Sequence, residues 1–164
     1  LCRLPQDAQA QGSQVEPGEH YLSRYRDYRS PDGYYRKYRV VFVDREPMPY
    51  HLAVGERWML HYVTADMRSH AWKTEEERRF LDDPQRALGP AAWVALCEIG
   101  KHLDLDYCGV DFSLLPDGRV LVFEANATML VHLENPDDPV LGFKNPYVQR
   151  IFDAFESMLA RCVP

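Results

Sequence analysis

The stretch from Tyr107 to Met129 constrains the fold most, because it contains two β-prone apolar runs separated by a turn signal. The runs cover residues 108–115 and 120–125, and Pro116-Asp117-Gly118-Arg119 lies between them. An Asp-Gly pair between such runs predicts a β-hairpin. Its loop would have either two residues, Asp117-Gly118, or four, from Pro116 to Arg119.

Either loop places Asp111 directly across from Glu124. Side chains alternate along a strand, so Asn126 is predicted on the face of Glu124, and the other face is predicted to carry Val110, Phe112, Leu121 and Phe123. Opposed residues have Cβ atoms about 4.5–5.5 Å apart, where two carboxylates repel. The pair therefore needs a cation, a shared proton or open water, and a solvated pair on the wet face of a hairpin is one interpretation.

A metal site is the other interpretation, because two carboxylates and an amide oxygen suit Mg²⁺ or Mn²⁺ better than zinc. The run GVDFSLLPDGRVLVFEANAT resembles the metal-binding hairpin of the ATP-grasp ligase superfamily. In that family an Asp on one strand and a Glu-x-Asn on the next hold Mg²⁺ against the phosphates of ATP. The matching positions are Asp111, Glu124 and Asn126, and a looser match extends over most of the chain.

Residues 21–43 form a second unusual stretch, basic and rich in tyrosine. Between Tyr21 and Arg39 there are six Lys or Arg against two Asp, and six of the ten tyrosines. Ser30-Pro31-Asp32-Gly33 predicts a turn between a strand ending near Arg26 and a strand from Tyr34 to Val43. Lys37 and Arg39 share one face of the second strand. One interpretation is a sheet edge with solvated charges and tyrosines that pack across strands. In the other, the two cations neutralise phosphate oxygens beside a metal held by the hairpin.

The resemblance also assigns roles to these residues. It implies that Lys37 and Arg39 stabilise the transferring phosphoryl group and that Phe123 borders the nucleotide. His51, at the end of a strand that faces this site, is either a packed core or rim histidine or a nucleotide-site residue that contacts a phosphate or a substrate carboxylate. The two strands within residues 40–54, joined tightly around Asp44 to Pro47, resemble the family's phosphate-facing pair. The segment from Tyr21 to Arg24 resembles the linker that contacts adenine, but it lacks the acidic residue that usually binds the ribose.

The remaining chain predicts three helices. Thr74 and Glu77 form a capping-box pattern that predicts a short helix from Glu75 to about Leu81. A second helix begins at Pro90, with an apolar stripe of Ala92, Leu96, Ile99 and Leu103. A third has Asn145 as its predicted N-cap and Pro146 in its first turn, and its stripe consists of Val148, Ile151, Phe152, Phe155, Met158, Leu159 and Cys162. The fold class is therefore α+β, an antiparallel β-sheet with helices packed on one face, as in the C-terminal subdomain of an ATP-grasp fold.

Composition sets the remaining bounds. A chain of 164 residues, 46% hydrophobic and 27% charged, predicts one folded domain over residues 20–164 after a loose arm over residues 1–19. A net charge of −6 argues against general nucleic-acid affinity. No stretch is long and apolar enough to predict a membrane span, and a cytoplasmic protein is expected.

The function implied by the resemblance is an ADP-forming carboxylate–amine ligase. It uses ATP and Mg²⁺ or Mn²⁺ to activate a small-molecule or peptide carboxylate as an acylphosphate, which an amine or thiol attacks. The chain begins without Met and has no Gly-rich loop, since residues 11–18 contain only Gly12 and Gly18. We therefore expect a half-site that is inactive as a fragment. The alternatives are a non-catalytic nucleotide- or metal-binding module and a nucleic-acid platform built on the Tyr/Arg stretch.

Overall fold

A four-stranded antiparallel sheet organises the structure, a computed structural model that describes residues 25–162. The strands are β1 (Tyr35–Val43), β2 (Glu46–Gly55), β3 (Tyr107–Leu114) and β4 (Val120–Asn126). Their spatial order is β2-β1-β3-β4, so β1 and β3 are central while β2 and β4 form the edges. The α+β class is thus confirmed.

Helices cover both faces of the sheet. Three of them, α1 (Ala71–Asp82), α2 (Pro84–Leu88) and α3 (Pro90–Leu103), share a core with Tyr38, Val40 and Phe42. The last helix, α4 (Asn145–Cys162), packs on Val41 and Val43 from the opposite side. The prediction of helices on one face is therefore wrong. The sequence of β1 explains this. Its second half, from Val40 to Val43, does not alternate but is apolar at every position, and it is buried on both sides of the sheet.

A β-bulge in β2 determines which side chains lie beside α4. Arg39 pairs with His51, but Val40 pairs with Pro49, so Tyr50 is the extra residue. Tyr50 and His51 consequently both project from the face of Val41, where Tyr50 is buried. The tight β1–β2 connection that we predicted is confirmed, with Asp44 and Arg45 both at positive φ, as two-residue hairpins require.

The β3–β4 hairpin forms as predicted at Asp111, which pairs with Glu124. Nearer the turn the register differs, because the loop has three residues, Pro116 to Gly118, closed by a bond from the Leu115 N–H to the Arg119 carbonyl. A bulge at Phe123 absorbs the difference. Leu121 therefore pairs with Ser113 on the face of Asp111, and the predicted grouping of Leu121 and Phe123 with Val110 and Phe112 is wrong.

Two helix boundaries differ from their predictions. Helix α1 begins at Ala71, and the Thr74 hydroxyl donates to the Ala71 carbonyl, so Thr74 does not cap it. Asn145 is the first helical residue of α4, and its amide bonds the backbone of Glu134. Helix α3 matches its prediction, and the α4 stripe is correct for Val148, Ile151 and Met158, while Leu159 is exposed.

The N-terminal predictions are tested only in part. The arm over residues 1–19 and the segment from Tyr21 to Arg24 lie outside the described residues. Residues 25–30 are not in a strand, and the turn at Ser30–Gly33 forms with a bond from the Gly33 N–H to the Ser30 carbonyl. Across residues 25–162, every helix is too short or too polar to cross a membrane.

Candidate functional site

Four polar side chains form a row across the whole sheet, one from each strand. His51 pairs with Arg39, Arg39 with Asp111, and Asp111 with Glu124. Paired residues of an antiparallel sheet share a face, so all four project from the face that α4 partly covers. At about 4.8 Å between strands the row is roughly 14 Å long. We call these four residues the polar row.

Asp111 is the buried centre of the polar row. It has no exposed surface, yet both its oxygens are bound by cations from β1. Arg39 donates from Nε to Oδ1 at 2.5 Å and from Nη2 to Oδ2 at 2.9 Å, and the Lys37 Nζ lies 2.8 Å from Oδ2. Burial opposes ionisation, but the bonds from Arg39 and Lys37 outweigh it and hold the pKa of Asp111 below its usual value.

The structure brings Lys37 and Arg39 together, as the sequence predicted. They lie two residues apart on one face of β1, and their side chains retain 15% and 20% of their exposure. Both cations therefore bind the buried acid and still reach solvent. A group that approaches this face from outside meets them before it meets the acid.

Glu124 differs from Asp111 although the two are paired. Glu124 is exposed, and among the described residues it forms no ion pair. It is close enough to Arg39 to contribute to the potential there. The two predicted metal ligands thus lie on the same face, one engaged by cations and the other open to solvent.

Asn126, the third predicted ligand, is occupied by its own loop. Its Oδ1 accepts from the Thr128 N–H at 2.8 Å and from the Thr128 hydroxyl at 2.9 Å. This short turn follows β4 directly, and Asn126 is exposed. A metal bound to this oxygen would have to replace at least one of the Thr128 contacts.

Aromatic side chains border the polar row on the side of Lys37. The bulge aims Phe123 at Tyr28, at 4.9 Å between ring centroids, and Tyr28 meets Tyr35 at the same distance. Tyr28 is buried and donates to the Trp58 carbonyl. Phe123 remains 40% exposed, so one side of its ring is available to a planar ligand.

His51 ends the polar row inside a cleft of about 530 Å³. We call it the side cleft, and its lining comprises Arg39, Tyr50, His51, Tyr62, Val63, Asp66, Met67, Arg68, Leu130, His132, Glu134, Leu141 and Lys144. His51 is 7% exposed and stacks on Tyr62 at 4.7 Å. Burial holds the pKa of His51 well below its usual range, and Lys144 and Arg39 lower it further.

A buried charge cluster behind the side cleft escaped sequence reasoning. Glu77 of α1 has no exposed surface and accepts from the Leu52 N–H and the Tyr62 hydroxyl. The Lys144 Nζ lies 3.8 Å from Glu77 and 3.0 Å from Glu134. Burial raises the pKa of Glu77 to about 7, although Lys144 and these bonds act against the rise. The sequence signal for the burial of Glu77 is its spacing, because it lies three and four residues before buried Phe80 and Leu81 and so shares their face of the helix.

Asp111, Glu124 and Asn126 carry the oxygen atoms of the predicted metal site. Within residues 25–162 there is no group of three or more His, Cys, Asp or Glu side chains arranged to hold a metal ion. Two carboxylates with an amide would be a smaller set, completed by ligand oxygens and water. A carboxylate has about four acceptor positions, and three of those on Asp111 are used, so one remains.

Comparisons of the chain with protein-family models, with curated proteins and with solved structures give no match.

Proposed function

We propose that Arg39, Asp111 and Glu124 of the polar row, with Lys37 and Asn126, bind Mg²⁺ and the triphosphate of ATP, and that the protein belongs to an ATP-grasp ligase of the carboxylate–amine type. The observation that supports this most is the placement of cations and open carboxylate in one line on one face. Lys37 and Arg39 would bind phosphate oxygens, and Asp111, Glu124 and Asn126 would hold the metal.

The reaction would use these groups for positioning and charge. A carboxylate oxygen of the substrate attacks the γ-phosphorus, the bond from that phosphorus to the bridging oxygen breaks, and ADP leaves. An amine or thiol then attacks the acyl carbon and phosphate departs. Mg²⁺, when bound, offsets charge on the phosphate oxygens. Lys37 and Arg39 stabilise the same charge from the protein side, where positioned cations contribute most in phosphoryl transfer.

The arrangement of Asp111 supports this role. Its two cationic partners keep it ionised in a site where burial alone would favour a neutral acid. They also place two positive charges at the surface of the site before any ligand arrives. Phe123 presents an exposed aromatic face on the side of the polar row where Lys37 lies. Such a face suits a nucleobase.

Calorimetric titration of the protein with ATP tests the proposal. With Mg²⁺ present we expect saturable binding, and with EDTA we expect at least tenfold weaker binding. Glu124→Gln should weaken Mg²⁺-dependent binding at least tenfold, because an open carboxylate is lost. Glu156→Gln makes the same change at an exposed position of α4 and should bind as the wild type does. Equal affinity in Glu124→Gln and wild type would reject the metal assignment.

A further inference from the structure

The imidazole of His51 has a hydrogen-bonding atom that residues 25–162 leave unused. Its Nε2 is buried and has no partner among the described residues. Buried polar atoms are nearly always satisfied, and an orphaned one costs about 1–3 kcal/mol. The ring is fixed by stacking on Tyr62 and contact with Tyr50, at 5.0 Å between centroids, so it cannot turn away without losing these contacts.

The surroundings of His51 form a cleft of the right size for a small molecule. The side cleft encloses about 530 Å³, within the range of roughly 300–1,000 Å³ that ligand sites occupy. Its mouth carries two strongly exposed apolar side chains, Val63 at 94% and Leu130 at 80%. Leu141 and Met67 add buried apolar surface further in. The cleft therefore offers apolar walls around a polar end.

Cations outnumber carboxylates by three to two in the lining of the side cleft, with Arg39, Arg68 and Lys144 against Asp66 and Glu134. The cations that act on His51 are Lys144, Arg39 and Lys37, and the opposing anion is Asp111. Lys144 also binds Glu134 and faces Glu77. Arg68 pairs with Asp138, and Asp66 lies exposed at the rim. A neutral imidazole carries one N–H, and in the tautomer with its hydrogen on Nε2 this unpartnered atom donates to a negatively charged oxygen.

We propose that the side cleft is a binding site for a carboxylic acid with an apolar body, whose carboxylate accepts a hydrogen bond from His51 Nε2 and whose body lies against Leu130 and Val63. This assigns His51 to an organic acid and away from the nucleotide. The identification of that acid as the acyl donor rests on the proposed ligase function. Its binding does not, because the contacts proposed for it, with His51, Leu130 and Val63, involve no residue assigned to ATP or the metal.

The geometry of the polar row connects the two ligands. His51 and Arg39 are directly paired, so an acid on His51 lies one strand away from the cation assigned to the phosphates. Neighbouring strands are about 4.8 Å apart. A carboxylate held there would be beside the transferring phosphoryl group, which is where the proposed reaction needs its nucleophilic oxygen.

Nuclear magnetic resonance of protein labelled with ¹⁵N-histidine tests the site, titrated with sodium hexanoate without ATP or Mg²⁺. We expect saturable shifts of the His51 ring nitrogens, with weaker binding of acetate because it lacks the apolar body. His51→Leu should bind hexanoate about tenfold or more weakly, since a bond to a charged group is lost. His102→Gln, on the exposed surface of α3, should bind hexanoate normally.

A second pair of variants tests the location without altering the buried ring. Leu130→Asp places a negative charge at the mouth of the side cleft and should weaken hexanoate binding. Leu133→Asp makes the same change at a half-exposed position nearby that does not line the side cleft. It should bind hexanoate as the wild type does.

Three results would overturn the proposal: no hexanoate binding, equal effects of Leu130→Asp and Leu133→Asp, or His51 shifts with inorganic phosphate or hexylamine and none with hexanoate. A phosphate response alone would return His51 to the nucleotide. Hexanoate binding together with a failed Mg-ATP titration would reject the ligase function and leave the acid site standing.

Discussion

Two fully buried carboxylates of this protein, Asp111 and Glu77, lie beside cations and yet have opposite pKa shifts. The pKa of Asp111 is lowered, because Arg39 and Lys37 bind its oxygens at 2.5–2.9 Å. The pKa of Glu77 is raised to about 7 by burial, because the cation that pairs with it within residues 25–162, Lys144, is 3.8 Å away and also binds Glu134.

The difference separates a permanent charge from a conditional one. Asp111 has two cations to itself, so it stays ionised throughout the physiological range. Glu77 shares one cation with a second carboxylate, so its proton is exchanged near neutral pH. The first arrangement suits a site that meets a charged ligand, and the second makes the packing of α1 on β2 depend on pH.

Removing the permanent charge should give the largest loss of stability. Asp111→Asn leaves Lys37 and Arg39 without their anion, and breaking a buried pair in this way costs about 4 kcal/mol. We expect the urea midpoint to fall accordingly at pH 7. Asp117→Asn, which removes an exposed partner of Arg119, should leave the midpoint unchanged. Equal midpoints for the two variants would mean that the Asp111 pairs contribute nothing to folding.

The conditional charge of Glu77 should make the free energy of unfolding fall as pH rises. The folded state holds the Glu77 proton up to about pH 7, while the unfolded chain releases it near the ordinary value of 4.5. The contribution of Glu77 to the free energy of unfolding should therefore be greatest below pH 4.5 and fall by about 3 kcal/mol as pH rises towards 7. Urea unfolding between pH 4.5 and 8 measures this loss.

Glu77→Gln isolates that contribution. The variant should lack this part of the pH dependence and should equal or exceed the wild type in stability at pH 8. Glu75→Gln, an exposed change on the same helix, should keep the wild-type dependence. A wild-type profile that does not differ from that of Glu77→Gln would show that Glu77 is ionised in the folded protein throughout this range.

A substitution of Phe123, which lies on the same face as Asp111, should have a smaller effect on stability and a specific effect on nucleotide binding. Phe123→Ala removes a half-exposed ring from Tyr28 and should cost about 1–2 kcal/mol of unfolding free energy. If its exposed face binds the base, the variant should lose affinity for Mg-ATP and keep its affinity for Mg-triphosphate. Equal losses for both ligands would remove Phe123 from the nucleotide site.

The features of the fold and the site that could be predicted from the sequence are those with a local cause. The pairing of Asp111 with Glu124 and the shared face of Lys37 and Arg39 follow from a turn signal and the two-residue period of a strand. The bulges at Tyr50 and Phe123 could not be predicted in this way, because each depends on the register between two paired strands. They decide the face of Phe123 and bring Tyr50 and His51 side by side.

The burial of Glu77 and Lys144 shows the same limit. Lys144 ends a short 3₁₀ helix, Gly142–Lys144, directly before α4. Its partners Glu77 and Glu134 lie 67 and 10 residues away in the sequence. Only the tertiary packing of α1, β2 and this segment joins them. The one-face arrangement of helices failed for a related reason, since the alternation of β1 ends at Val40.

The smallest stability effect is expected at Glu124, whose loss should matter for ligand binding alone. Because Glu124 is exposed and forms no ion pair among the described residues, Glu124→Gln should unfold at the wild-type urea midpoint. This contrasts with Asp111→Asn, its directly paired neighbour. A large loss of stability in Glu124→Gln would contradict an open carboxylate.

The most direct test of the central claim is the position of a paramagnetic metal. Mn²⁺ takes the same oxygen ligands as Mg²⁺ and broadens nearby resonances. With Mn-ATP added to ¹⁵N-labelled protein, we expect the amide signals of Asp111, Glu124 and Asn126 to broaden most, and that of Glu156 on α4 to be little affected. Uniform broadening, or broadening centred away from the polar row, would contradict the proposed metal–nucleotide site.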